Sequence, residues 1–235
     1  AAGWLEEALA QAARAGLAGP ARSQALDALA RARLVLGEIP ALARDLEAAV
    51  EPGGGEPAPP ERRARARRWS ALAQVAVGEV ATALRVVEDG LEEAEGPAAD
   101  EAAPLLHLRA QLLWHEGRFD EALAAGEACA VAGERDGDAD LLARGQDLAA
   151  LAAGMLGAPR PAPGPLDAEA RRRQDPTPEH PYDVHLVLWE HDLLSGWTAE
   201  RLLEAARLHG ARAEARAAQG AVGTSLLGEG QALLL

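Results

Sequence analysis

The sequence predicts an all-α protein made of stacked antiparallel helix pairs, and three observations carry that expectation. Alanine and leucine dominate, arginine and glutamate supply most of the charge, and the aromatic residues are five tryptophans, one tyrosine and one phenylalanine among 235. Such a composition loses little side-chain freedom in a helix, whereas the β-branched and aromatic residues that suit strands are scarce. Apolar residues recur at helical spacing. Glycine- and proline-rich breaks then cut that pattern into pieces of helical length.

Taken in order, helices are expected near 3–16, 20–36 and 40–50. The string EPGGGEPAPP from Glu51 to Pro60 rules out helix and makes a flexible insertion. Helices near 61–77 and 79–95 follow, then a short break from Gly96 to Pro104. In the next helix, 103–116, Leu105, Leu108 and Leu112 form one stripe and Leu106, Ala110 and Leu113 its neighbour, a face wide enough for two partners. Helices near 118–133 and 138–156 complete this part. The longest break, Ala158 to Pro181, holds PRPAPGP and DPTPEHP around a short helix at 166–173, and its length marks a hinge or a packed strap. Helices near 182–195, 198–219 and 222–235 close the chain. The expected organisation is therefore helical repeats over 1–157, a proline-rich linker over 158–181, and a further, truncated helical pair over 182–235. The missing initial methionine and the final apolar GQALLL suggest a segment of a longer polypeptide.

Charge and composition exclude several kinds of chemistry. All 23 basic residues are arginine, so a GxxxxGK[ST] phosphate loop, a Schiff base and a lysine general base are ruled out; a GC-rich coding bias accounts for the substitution. The net charge of −14 repels phosphate backbones and anionic lipid heads, so direct nucleic-acid contact is not expected. The arginine run Arg62, Arg63, Arg65, Arg67 and Arg68 reads as a solvated helix start facing acidic neighbours. Cys129 is the single cysteine, which excludes an intrachain disulfide. No apolar run nears the ~18 residues of a membrane span, and no signal pattern opens the chain, so a cytoplasmic protein is expected.

One short pattern returns three times: LGEIPALARDLEAA, VGEVATALRVVEDG and EGRFDEALAAGEACA. These strings resemble the tetratricopeptide repeat, which implies a right-handed α-solenoid. Leu106, Ala110, Phe119 and Ala122 match positions where that family carries a large apolar residue, a small residue, an aromatic and an alanine. Small residues suit such positions because helices cross closely there, and Ala30, Ala71 and Ala110 fit the first of them. Gly37, Gly78 and Gly117 fall at the turn, where a left-handed residue ends the first helix, and Glu38, Glu79 and Asp120 lie near the start of the second. The spacing is about 40 residues rather than the family's ~34, the closing proline is missing, and Gly126 stands where the family carries an aromatic. An irregular array over about 20–157 is expected. The segment from Tyr182 to Leu235, with YDVHLVLWEHDLLSG and TSLLGEGQALLL, is similar to the helical arms of signal-transduction ATPases and LuxR-type transcription regulators.

Catalytic and metal constellations are not supported. Asp183, His185, Glu190, His191 and Asp192 lie close in sequence, but His185 and His191 on one helix diverge by about 240°. His107 and His115 lie two turns apart. Ser225 sits in GTSLLG rather than GxSxG, Gly220 and Gly223 read as a helix-to-helix turn, and Cys129 occupies a small-residue packing position. Of Trp4, Trp69, Trp114, Trp189 and Trp197, Trp114 and Trp189 are expected in the core and Trp197 as a hydrophobic staple. No catalytic residue, metal or cofactor is expected, and no enzyme.

The expected function is protein or peptide binding in a concave groove lined by the first helix of each pair, within a larger bacterial regulatory protein. Exposed groove contacts are expected at Arg67, Gln74, His107 and Arg109. The alternatives are a ligand-sensing arm of an ATPase-linked LuxR-type regulator and, second, a metal-dependent enzyme.

Overall fold

The computed structural model describes residues 20–50, 58–94 and 100–158, together with scattered positions between 198 and 234. The fold is all-helical, with no strand among the described residues. The chain forms two compact units, Ala1–Leu105 and Leu106–Leu235. Among the described residues no helix is long and apolar enough to cross a membrane.

The first unit contains α1 (Pro20–Leu36), α2 (Ile39–Val50), α3 (Pro60–Ala76) and α4 (Val80–Glu93). Pro59 and Pro60 set the start of α3, because proline at the first helical position loses only an N–H that the helix could not use. Helix α2 packs on α3, α1 touches both, and α3 packs on α4. Leu26, Leu29, Leu42 and Leu46 make the core of the first pair, and Trp69, Leu72, Val75 and Val87 that of the second. Ala30 and Ala71 are fully buried, as the repeat pattern expects of residues at close crossings.

Helix α5 (Ala102–His115) begins in the first unit and continues into the second, which also contains α6 (Phe119–Asp136) and α7 (Ala139–Met155). Helices α6 and α7 form the most closely joined pair. Their contact is made by backbone: a Cβ added to Gly126 would lie 2.9 Å from the Ala149 nitrogen, and one on Gly145 would lie 2.5 Å from the Ala130 nitrogen. One on Gly133 would overlap the Leu142 nitrogen. Along α7, every residue from Asp147 to Ala153 is buried, a stretch that covers the whole circumference of the helix.

A single joint recurs. Gly37, Gly78, Gly117, Gly137 and Gly157 have φ between 70 and 83°, a conformation that costs glycine little because it has no Cβ. Each glycine N–H donates to the carbonyl three residues back at 3.0–3.2 Å, and the next residue's N–H donates to the carbonyl five residues back at 2.8–2.9 Å. This is the Schellman arrangement, which satisfies carbonyls that a helix end otherwise leaves orphaned. At Glu38, Glu79, Arg118 and Asp138 the same residue's carbonyl then accepts the first bond of the following helix, at 2.9–3.0 Å. One residue thus ends one helix and opens the next. The sequence pattern pointed to the first three glycines; Gly137 and Gly157 extend the series.

The seven described helices match the expected segments within a few residues. The largest difference is at α6, which runs to Asp136 rather than stopping at 133, because its left-handed cap is Gly137. The helices expected at 3–16, 166–173 and 182–195 lie outside the described residues, and those expected at 198–219 and 222–235 are described only at scattered positions.

Candidate interaction surface

The four expected contact residues divide between the units: Arg67 and Gln74 lie on α3, and His107 and Arg109 on α5. The Arg67 side chain is 43% exposed and reaches Asp89 at 3.8 Å and Glu93 at 3.6 Å, both on α4. Gln74 is half-buried near the end of α3, where its backbone carbonyl accepts the N–H groups of Val77 and Glu79. Arg109 is half-buried. His107 is only 4% exposed, which corrects the expectation of an exposed groove contact there. The physical reason is the width of the buried face of α5: Leu105, Leu108, Ala110, Leu112 and Leu113 are all buried, and His107 is enclosed with them.

The arginine run on α3 meets acidic partners, as expected, but two of its members are more enclosed than a solvated helix start. Arg65 Nε donates to Glu101 Oε1 at 2.6 Å, and Arg68 Nε donates to Glu101 Oε2 at 3.2 Å. The same two guanidiniums approach Asp27 at 3.6 and 3.5 Å. Asp27 Oδ1 in turn accepts the Trp69 indole N–H at 2.6 Å, and the Arg68 guanidinium lies 5.0 Å from the Trp69 ring centre. Glu101 is 4% exposed. Charges taken this far from water are tolerable only when each carboxylate is paired and hydrogen-bonded, and this network meets that condition. On the other side of α3, Arg63 donates to the Ala58 carbonyl at 2.6 Å and pairs with Glu93 at 3.6 Å. Asp27, Glu101 and Glu93 were not singled out in the sequence, because nothing local marks an acid whose partner lies on another helix.

Arg33 does a similar job between α1 and α2, donating to Glu38 and Asp45, each at 2.5 Å. In the second unit Arg118 and Arg135 pair locally with Glu121 and Asp136, and Arg207 reaches Glu229 at 3.5 Å. Arg118 donates to both Glu121 oxygens, at 2.7 and 2.6 Å. That guanidinium holds the Glu121 carboxyl below its ordinary pKa, with Arg109 adding a smaller Coulombic pull.

Cys129 is buried against α7, its S–H directed to the Leu141 carbonyl at 3.6 Å. Burial pushes its thiol up to about 12, and Arg144 offsets only part of that rise. A thiol held protonated in this way is a poor nucleophile and a poor metal ligand. Among the described residues no group of three or more histidine, cysteine, aspartate or glutamate side chains converges on a metal-sized position. Trp114 is half-buried, and its ring meets His115 edge-on at 5.2 Å and Phe119 at 6.0 Å. Its indole N–H is buried with no acceptor. Trp69 is a core residue at 3% exposure. The candidates His185, His191, Ser225, Trp4, Trp189 and Trp197 lie outside the described residues.

Exposed apolar side chains recur beside the joints. Leu36, Val77 and Leu156 each precede a left-handed glycine and project to the surface. Helix α6 carries an exposed stripe of Asp120, Ala124, Glu127, Val131 and Glu134, at alternating spacings of four and three. Compared with protein-family models, with curated proteins and with solved structures, the chain has no match.

Proposed function

We propose that this chain is a tetratricopeptide-like α-solenoid that binds a protein or peptide through the row of first helices, as a signal-relaying part of a larger cytoplasmic regulatory protein. The observation that carries this reading is the recurrence of one joint with one small-residue offset. Ala30, Ala71, Ala110 and Ala150 each stand seven residues ahead of a left-handed glycine, and all four are buried. A chain that repeats the same reversal and the same close crossing builds pairs that stack, and stacked pairs present an extended surface suited to another polypeptide. The absence of lysine and the buried, protonated Cys129 further favour binding over covalent chemistry.

The test is selection of peptides on the purified chain from a random displayed library, followed by fluorescence anisotropy with the selected sequences. Replacing Arg67 with glutamate and Gln74 with alanine is expected to weaken binding about tenfold or more, corresponding to about 1.4 kcal/mol. Failure to select any peptide overturns the binding function. Selected peptides that bind both variants as well as the parent overturn the α3 surface while leaving the function.

A further inference from the structure

We draw no further inference here: the strongest candidate, the acidic stripe Asp120, Glu127 and Glu134 on the exposed face of α6 with Val131 66% exposed beside it, is a row of carboxylates whose occupant nothing in the structure shows.

Discussion

Helix α3 in the first unit and helix α6 in the second are each the most heavily engaged element of their neighbourhood, and they make their contacts by opposite means. Around α3 the contacts are long side chains. Trp69 fills the core, Arg65 and Arg68 hold Glu101 and Asp27, and Arg63 and Arg67 reach across to α4. Even the glycine opposite α3 on α4, Gly90, faces side chains: a Cβ there would meet the Arg67 Cβ at 3.0 Å and a Leu105 methyl at 3.1 Å. Between α6 and α7, Gly126, Gly133 and Gly145 bring backbone onto backbone. The first contact depends on charge, and it carries the desolvation cost of one buried carboxylate, Glu101, and its part-buried partners. The second depends on volume, and it has almost no tolerance for an added atom. The same glycine joint therefore serves interfaces of different chemistry.

The strongest test of this contrast is Glu101→Ala. It removes two charge-assisted hydrogen bonds while Arg65 and Arg68 keep Asp27, and the expected loss is about 3 kcal/mol. Hydrogen exchange read helix by helix should report the loss in α1, α3 and α4; protection that stays at the parent level there would break the comparison. Next comes Trp69→Phe, which keeps most of the ring and removes the N–H that Asp27 accepts. A hydrogen bond to a charged group contributes roughly 1.5–3 kcal/mol, and the denaturant midpoint should fall accordingly. Gly133→Ala tests the other interface. Its methyl must displace the backbone of α7, so a loss of about 1–3 kcal/mol is expected in the exchange of α6 and α7 amides. A stabilised variant, as the higher helix propensity of alanine alone would give, would break the contrast by showing that this interface tolerates an added methyl.

A pH series sharpens the contrast further. The Cys129 thiol is raised from 9.0 to about 12 in the folded chain, so between those values the unfolded chain releases the proton and the folded one keeps it. The stabilisation is complete below about pH 9 and is lost as pH rises toward 12, by about 1.4 kcal/mol per unit. The absence of lysine makes this alkaline limb easy to isolate. The slope should flatten in Cys129→Ala, as measured by urea unfolding at pH 8 and pH 10. The smallest effect is expected for Arg118→Ala, because Arg118 and Glu121 pair on an exposed surface. The unfolding midpoint should stay unchanged, while the Glu121 carboxyl, observed by NMR, should titrate closer to its ordinary value.

The helices were legible because glycine and proline punctuate them, and the rule linking those residues to chain reversal is local. The left-handed joints at Gly37, Gly78 and Gly117 could be read for the same reason. The pairing of Arg65 with Asp27 and Glu101 could not, since both acids lie far along the chain and any of the 37 acidic residues has the same local signature. His107 was misjudged because its burial depends on how many neighbours enclose α5, a quantity that periodicity alone does not give. Gly126 is instructive in the other direction. It departs from the resembled family's pattern, and the reason is steric: with the Ala149 nitrogen so close to its missing Cβ, an aromatic ring has no room.

The two-residue joint also makes the chain editable. Because the glycine and its successor form the same pair of bonds at Gly37, Gly78, Gly117, Gly137 and Gly157, a helix cut just before one such glycine and spliced ahead of another meets the same backbone geometry. An insertion of even one residue, by contrast, would turn the following helix by about 100° and present the wrong side to its neighbour. Cassette exchange at these points, and intolerance to length change within them, is how helices joined in this way can diversify their surfaces without redesigning the frame.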